Sequence, residues 1–244
     1  MSQFEMVKYH SQDYPADIPL KTEEIAAHFD ISSIGGSLNR SLHTEYSYGK
    51  RKFCATPVTA FDEIVSAHKD GVPQLWKSQL WAEQFAHFVI GLVGNSGAPE
   101  VIEIHPPFND YTDMNGFISS YRIFEEQILS AFPQVKILIE NRCGSVYHGG
   151  RFLISKMNDI EELCEQIERN YLQLMVAYDV PQIYTAHNAA SEEQYCSLLD
   201  KAAELRNHIG GVHLWGKKKS PTGRKVSHCG DLNTYFENNE HIKK

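Results

Sequence analysis

From residue 100 onward, short apolar runs alternate with longer stretches whose apolar positions recur every three or four residues. The runs Val-Ile-Glu-Ile-His105, Ile-Leu-Ile-Glu140, Leu-Met-Val-Ala-Tyr-Asp179 and Gly-Gly-Val-His213 have the length of strands. Most are rich in β-branched and other apolar residues, as strands covered on both faces are. They predict strands over 100–106, 135–141, 172–178 and 211–215. Between them the helical period takes over: Ile118, Tyr121, Ile123, Phe124, Ile128 and Leu129 predict a helix near 114–131. Ile160, Leu163 and Ile167 share one face of a helix over 158–170, with Asn158 or Asp159 as its cap. A further helix is expected near 191–208. Repeated strand–helix units imply a parallel sheet joined by right-handed crossovers.

The first hundred residues carry a weaker pattern. Phe4-Glu-Met-Val-Lys-Tyr-His10 reads as a first strand, Lys21 to Phe29 as a helix, Ile31-Ser-Ser-Ile-Gly-Gly as a second strand and Lys52-Phe-Cys-Ala-Thr as a third. A helix over 76–93 is clear, with Trp76, Leu80, Trp81, Phe85, Phe88 and Leu92 forming an apolar stripe that belongs to a core. No internal repeat or Pro/Ser-rich linker divides the chain, so one domain over 1–244 is expected. Seven strands are counted, and the eight residues beyond Phe236 are too few for another βα unit, which takes roughly 25–30 residues. The expected fold is α/β, a (β/α)8 TIM barrel that either lacks or is truncated at its eighth βα unit, or holds a further strand, unread, early in the chain.

Each apolar run from residue 100 onward ends in a polar residue, and in such a barrel the C-terminal strand ends converge on one point. His105, Glu140, Asp179 and His213, with His228 in Ser-His-Cys-Gly-Asp231, make a nitrogen and oxygen donor set suited to zinc or manganese. Glu140 closes a buried strand, where an unpartnered carboxylate is costly. A metal ion, or an ion pair with Arg142, would satisfy it. Asp179 precedes Pro181 and is equally placed to cap a helix. His105-Pro106 also fits a plain strand-ending turn.

Composition narrows the setting. A formal net charge of −8 argues against a binder that covers nucleic acid with its whole surface. The segment Gly216 to Lys225 nevertheless places five basic residues in ten between His213 and His228. It is either a solvated loop or a clamp on phosphate groups through Lys217, Lys218, Lys219 and Arg224. Five scattered cysteines without a CxxC pair argue against a disulfide framework and a thiolate zinc site. No apolar stretch reaches the ~18–20 residues a membrane helix needs. Met1-Ser-Gln-Phe-Glu lacks the basic start and apolar core of a signal peptide. A cytoplasmic location with no membrane partner is expected.

Taken together, residues 100–236 resemble the xylose-isomerase-like barrel superfamily, and within it the endonuclease IV type of apurinic-site nucleases. The likeness lies in His105-Pro106 at one strand end and Glu140-Asn141 before a Gly-containing loop. It continues with Asp179 three residues before the polar Gln182, Val212-His213-Leu214 before a basic loop, and His228 before a glycine and an aromatic. The resemblance implies Glu140, Asp179 and His213 as ligands, with His105 and His228 completing a site for one to three zinc or manganese ions. Asn141, Arg142, Gln182 and Asp231 would then face substrate. The chain departs from the pattern in three places. Gln182 stands where such families have His, Val226 stands where the nuclease branch has Asp, and no last-strand Glu precedes Lys244.

Three functions remain open on these residues. The first is a metal-dependent phosphodiesterase acting on DNA at abasic sites, with Glu140 bridging ions and the 217–225 stretch gripping phosphates. The second is a sugar or sugar-phosphate isomerase or epimerase, with one ion held by Glu140, Asp179 and His213 and a phosphorylated sugar as substrate. The third is a barrel that keeps the scaffold without catalysis.

Overall fold

The computed structural model describes residues 5–9, 20, 22–26, 40–44, 60–69, 72–219, 221–223 and 225–230. In chain order they form β1 (Val7–Tyr9), β2 (Thr22–Ala26), β3 (Arg40–His43), α1 (Asp62–Ala67), the short pair β4 (His68–Lys69) and β5 (Val72–Pro73), and α2 (Gln79–Val93). There follow β6 (Val101–Ile104), α3 (Met114–Ala131), β7 (Lys136–Glu140), α4 (Met157–Asn170), β8 (Leu174–Asp179), α5 (Val180–His187), α6 (Glu192–Glu204) and β9 (Ile209–His213). A hairpin, β10 (Gly216–Lys219) and β11 (Lys225–Gly230), comes last.

Seven strands form one sheet in the order β1-β2-β3-β6-β7-β8-β9, and every neighbouring pair is parallel. The sheet is curled. β6 and β9 stand three strands apart, which in a flat sheet would be about 14 Å, yet the side chains of Glu103 and His213 approach to 3.0 Å. The architecture is therefore α/β with a curled parallel sheet and six helices among the described residues, a partial barrel. The complete eight-stranded ring is not formed: among the described residues β1 and β9 are edges of the sheet and no ladder joins them.

From residue 76 onward the expected elements recur, with shifts of a few residues at their ends. Helix α4 starts at Met157, and Asp159 supports it from the third helical position rather than from the cap: its carboxylate accepts from Ser155 N at 3.0 Å and Lys156 N at 2.7 Å. The early chain is corrected. The stretch 21–29, read as a helix, contains strand β2, because β1 and β3 flank it with backbone partners that outweigh local preference. β3 reads Arg-Ser-Leu-His, too polar to register as a strand by pattern. The expected strands at 31–36 and 52–56 lie outside the described residues.

Strand alternation divides the sheet into two unlike faces. Leu42, Ile102, Ile104, Ile137, Ile139, Leu174, Val176 and Tyr178 join the core cluster shared with the helices. Each such fully buried aliphatic side chain contributes about 1.5–3 kcal/mol. The alternate positions, including Glu24, His43, Glu103, Glu140 and Asp179, turn to the concave side. Trp76 links the two regions. Its indole is 1% exposed and meets Trp81, Phe85, Phe117 and Phe124 edge-on, at ring separations of 5.2, 5.6, 5.4 and 5.3 Å. Its N–H donates to the carbonyl of His105 at 2.7 Å. The backbone there is left-handed (φ 58°), a conformation a bulky residue adopts only when its surroundings impose it.

Candidate metal centre

Five neighbouring strands bring their concave-face residues together near their C-terminal ends. In register, His43 lies beside Glu103, and Asp179 beside His213. Glu103 and His105 are two residues apart, so both turn inward while Ile102 and Ile104 turn to the core. His213 reaches this face through a bulge. Val176 pairs with Ile209, but Ala177 pairs with Gly211, leaving Gly210 as the extra residue. Without it, His213 would fall on the opposite face from Asp179. A Cβ on Gly210 would come within 2.4 Å of Leu138 Cδ2 and 3.0 Å of Met175 Cβ, so a larger residue there would force these side chains to shift.

The donor atoms form two groups that meet at Glu140. In the first, His43 Nε2 lies 2.8 Å from His105 Nε2 and 3.5 Å from Glu140 Oε2, and His105 Nε2 lies 2.9 Å from the same oxygen. In the second, His213 Nε2 lies 3.0 Å from Glu103 Oε2, and His213 Nδ1 lies 3.8 Å from Glu140 Oε1. All five side chains are buried except that of His213, which is 22% exposed. Glu24 stands behind the first group, its Oε1 3.2 Å from His43 Nδ1. A proton on Nδ1 directed at that carboxylate leaves the Nε2 lone pair free to bind a cation.

The first group passes a simple test of fit. Two imidazole nitrogens at 2.8 Å compete with a carboxylate oxygen for shared protons, whereas one cation would satisfy all three lone pairs. Donors around a tetrahedral ion at about 2.0–2.1 Å are spaced by about 3.3 Å, within about half an ångström of the separations of 2.8, 2.9 and 3.5 Å here. His43, His105 and Glu140 could hold a metal ion.

The electrostatics agree with this crowding of acids. Burial draws the His43 imidazole down, but Glu103, Glu140 and Glu24 overcome it and raise it to about 10. Burial likewise opposes, and Glu103 and Glu140 reverse, the shift at His213, which ends well above the usual imidazole range. Glu140 is pushed up by burial and pulled well below the ordinary carboxylate range by Arg142 and the three histidines. Asp179 is raised to about 7, by burial first and by Glu140 second.

The other expected site residues occupy more structural positions. Asp179 caps α5: its Oδ1 accepts from Gln182 N at 2.9 Å, and its Oδ2 accepts from Trp215 Nε1 at 2.7 Å and Gln182 Nε2 at 3.1 Å. Gln182 is buried, and its amide also donates to Glu140 Oε1 at 2.5 Å, so it braces two carboxylates. Asn141 is fully buried and clasps the Asp179 backbone, donating to its carbonyl at 3.1 Å and accepting from its N–H at 2.8 Å. Arg142 pairs with Glu140 Oε2 at 2.5 Å, and its guanidinium lies 5.4 Å from the Phe152 ring centroid. The side chains of His228, Lys217, Lys218 and Lys219 lie outside the described residues, as do Arg224 and Asp231.

Sequence reasoning missed His43, Glu103 and Glu24. Glu103 was visible as the one charged residue inside an apolar strand, two positions before His105. His43 and Glu24 had no such signal, because their strands are not apolar runs. No protein-family model matches the chain, and no curated protein matches it significantly.

Proposed function

We propose that this chain is a divalent-metal-dependent phosphodiesterase of the xylose-isomerase-like barrel type, acting on DNA at abasic sites. The carrying observation is that two sets of buried nitrogen and oxygen donors share one carboxylate, Glu140. His43 and His105 would hold one ion with it, and His213 and Glu103 would hold a second. Their mixture of imidazole and carboxylate suits zinc or manganese. Such a pair, when bound, supplies Lewis acidity on both sides of a phosphoryl group and a water of lowered pKa.

The protein's own part is to place and polarise. Glu140 is held by Arg142 and Gln182, so it cannot swing away from the position it shares between the groups. Glu24 orients His43, and Trp76 pins the backbone of His105. His213 and Arg142 have the most open side chains among these residues, 22% and 15% exposed, and mark the side from which substrate approaches. The narrower substrate, abasic DNA, rests on the resemblance of the strand-end motifs and on the basic run 217–225, which follows His213 directly. The isomerase reading stands second, because a single ion suffices for it whereas the described donors form two groups around Glu140.

The test is to incubate manganese- or zinc-loaded protein with a duplex carrying one abasic site. Strand incision that requires the ion and disappears in Glu140→Gln is expected. Metal-loaded protein that leaves the duplex intact at all concentrations overturns the phosphodiesterase reading.

A further inference from the structure

We infer that Glu103 is a second bridging ligand alongside Glu140, so that the centre takes up its two ions as a doubly bridged, magnetically coupled pair. This rests on the metal reading above and specifies how the ions are joined. A carboxylate can serve one ion or span two, and what decides is where its two oxygens face. Glu103 Oε2 faces His213 Nε2 at 3.0 Å, in the second donor group. Glu103 Oε1 faces His43 Nε2 at 3.1 Å, in the first. The rings of His43 and His213 are 6.1 Å apart between centroids, so the carboxylate stands between them. Glu140 repeats the arrangement from the next strand. Its Oε2 faces His105 and His43, and its Oε1 faces His213.

A second observation points the same way. Glu103 is 2% exposed, and its Oε1 accepts no hydrogen bond among the described residues. Buried carboxylate oxygens ordinarily have donors. The nearest nitrogen, His43 Nε2, also faces His105 Nε2 and Glu140 Oε2, and one N–H can serve only one of the three. The backbone of Glu103 is fixed meanwhile, its carbonyl accepting from Thr44 N at 2.9 Å and Thr44 Oγ1 at 2.8 Å. The side chain is thus held at the junction of the two groups with a lone pair aimed into the first.

Two bridging carboxylates hold a pair of ions about 3.5–4 Å apart, close enough for their unpaired electrons to interact. They also make loading cooperative, since the first ion orients both carboxylates for the second. The probe is Mn2+ added to metal-free full-length protein, followed by electron paramagnetic resonance and by counting bound ions. The expected result is two Mn2+ per chain with the spectrum of a coupled pair, visible even when less than one equivalent has been added. Glu103→Gln, which keeps the shape but loses the second anionic oxygen, should bind one Mn2+ per chain with the six-line spectrum of an isolated ion. Glu103→Asp should recover part of the coupled signal. Two uncoupled ions, or a coupled pair surviving in Glu103→Gln, each overturns the double bridge and leaves the two-ion reading standing, whereas one ion per wild-type chain overturns both. No Mn2+ bound by the wild type overturns both. The wild-type spectrum decides the matter even if the variants fold poorly.

Discussion

Loading metal into this centre should expel protons, and the number follows from the state of the histidines beforehand. His43 is raised to about 10 in the metal-free protein. At pH 7.5 it is therefore more than ~99% protonated. His213 also lies well above its ordinary value. A cation can use the ring nitrogens facing it only after those protons leave. Glu140 is already ionised and releases none. Filling both groups should release about two protons per chain, and affinity per ion should rise about tenfold, or 1.4 kcal/mol, for each pH unit between 7 and 9. Titration calorimetry in two buffers of different ionisation enthalpy reads the proton count directly. The sign is checked by the metal-free protein. His43 has a folded value above its unfolded ~6.5, so its contribution to stability is fully present below that pH and is lost as pH rises through about 10. Metal should become most stabilising where the metal-free fold is losing this contribution. Metal binding with no proton release, or with an affinity flat from pH 7 to 9, would contradict protonated histidines in the metal-free centre.

Other perturbations probe the supports of the site. Gln182→Leu removes the amide shared by Glu140 and Asp179 and should cost about 1–3 kcal/mol, because Glu140 Oε1 loses its donor while Asp179 Oδ2 keeps that of Trp215. An unchanged urea midpoint would show that the brace contributes nothing. Gly210→Ala should destabilise the fold by about 1–3 kcal/mol through overpacking against Leu138 and Met175. It should also weaken the ion held with His213 more than the ion held with His43 and His105, and equal weakening at both would speak against the role given to the bulge. Neutralising Lys217, Lys218 and Lys219 together should weaken DNA binding and reduce its salt slope by about one for each phosphate no longer gripped. A salt-independent affinity in the parent protein would dispose of the clamp.

The later strands were legible because burial on both faces leaves an unmistakable apolar run, and a polar residue ending such a run stands out. That logic located His105, Glu140, Asp179 and His213 on one concave face. It could not rank them, since a strand-end aspartate caps a helix and approaches a metal from the same position in sequence, and Asp179 does the first. It passed over β2 and β3, whose short polar strands acquire their identity from neighbours more than from residue preference. His43 was lost with them. The bulge at Gly210 was also hidden, because Gly-Gly before Val-His reads as a weak strand start, whereas here it sets which way His213 turns.

The donors of this centre come from widely separated parts of the chain: His43 and His105 are 62 residues apart, His105 and Glu140 are 35, and Glu103 and His213 are 110. None of these pairs can meet within a single hairpin or helix. Folding must close long loops before any two donors meet, a slow route for a parallel sheet. Until then, the acids that will crowd together are far apart and do not repel. The metal therefore has no site to bind until those loops have closed. Its effect should fall on the rate at which the finished fold opens and only slightly on the rate at which it forms, as for interactions absent from the folding transition state. A newly made chain could assemble the His43–His105–Glu140 group before β9 is complete. The second group must wait for His213, so the order of synthesis would also be the order in which the two ions find their places.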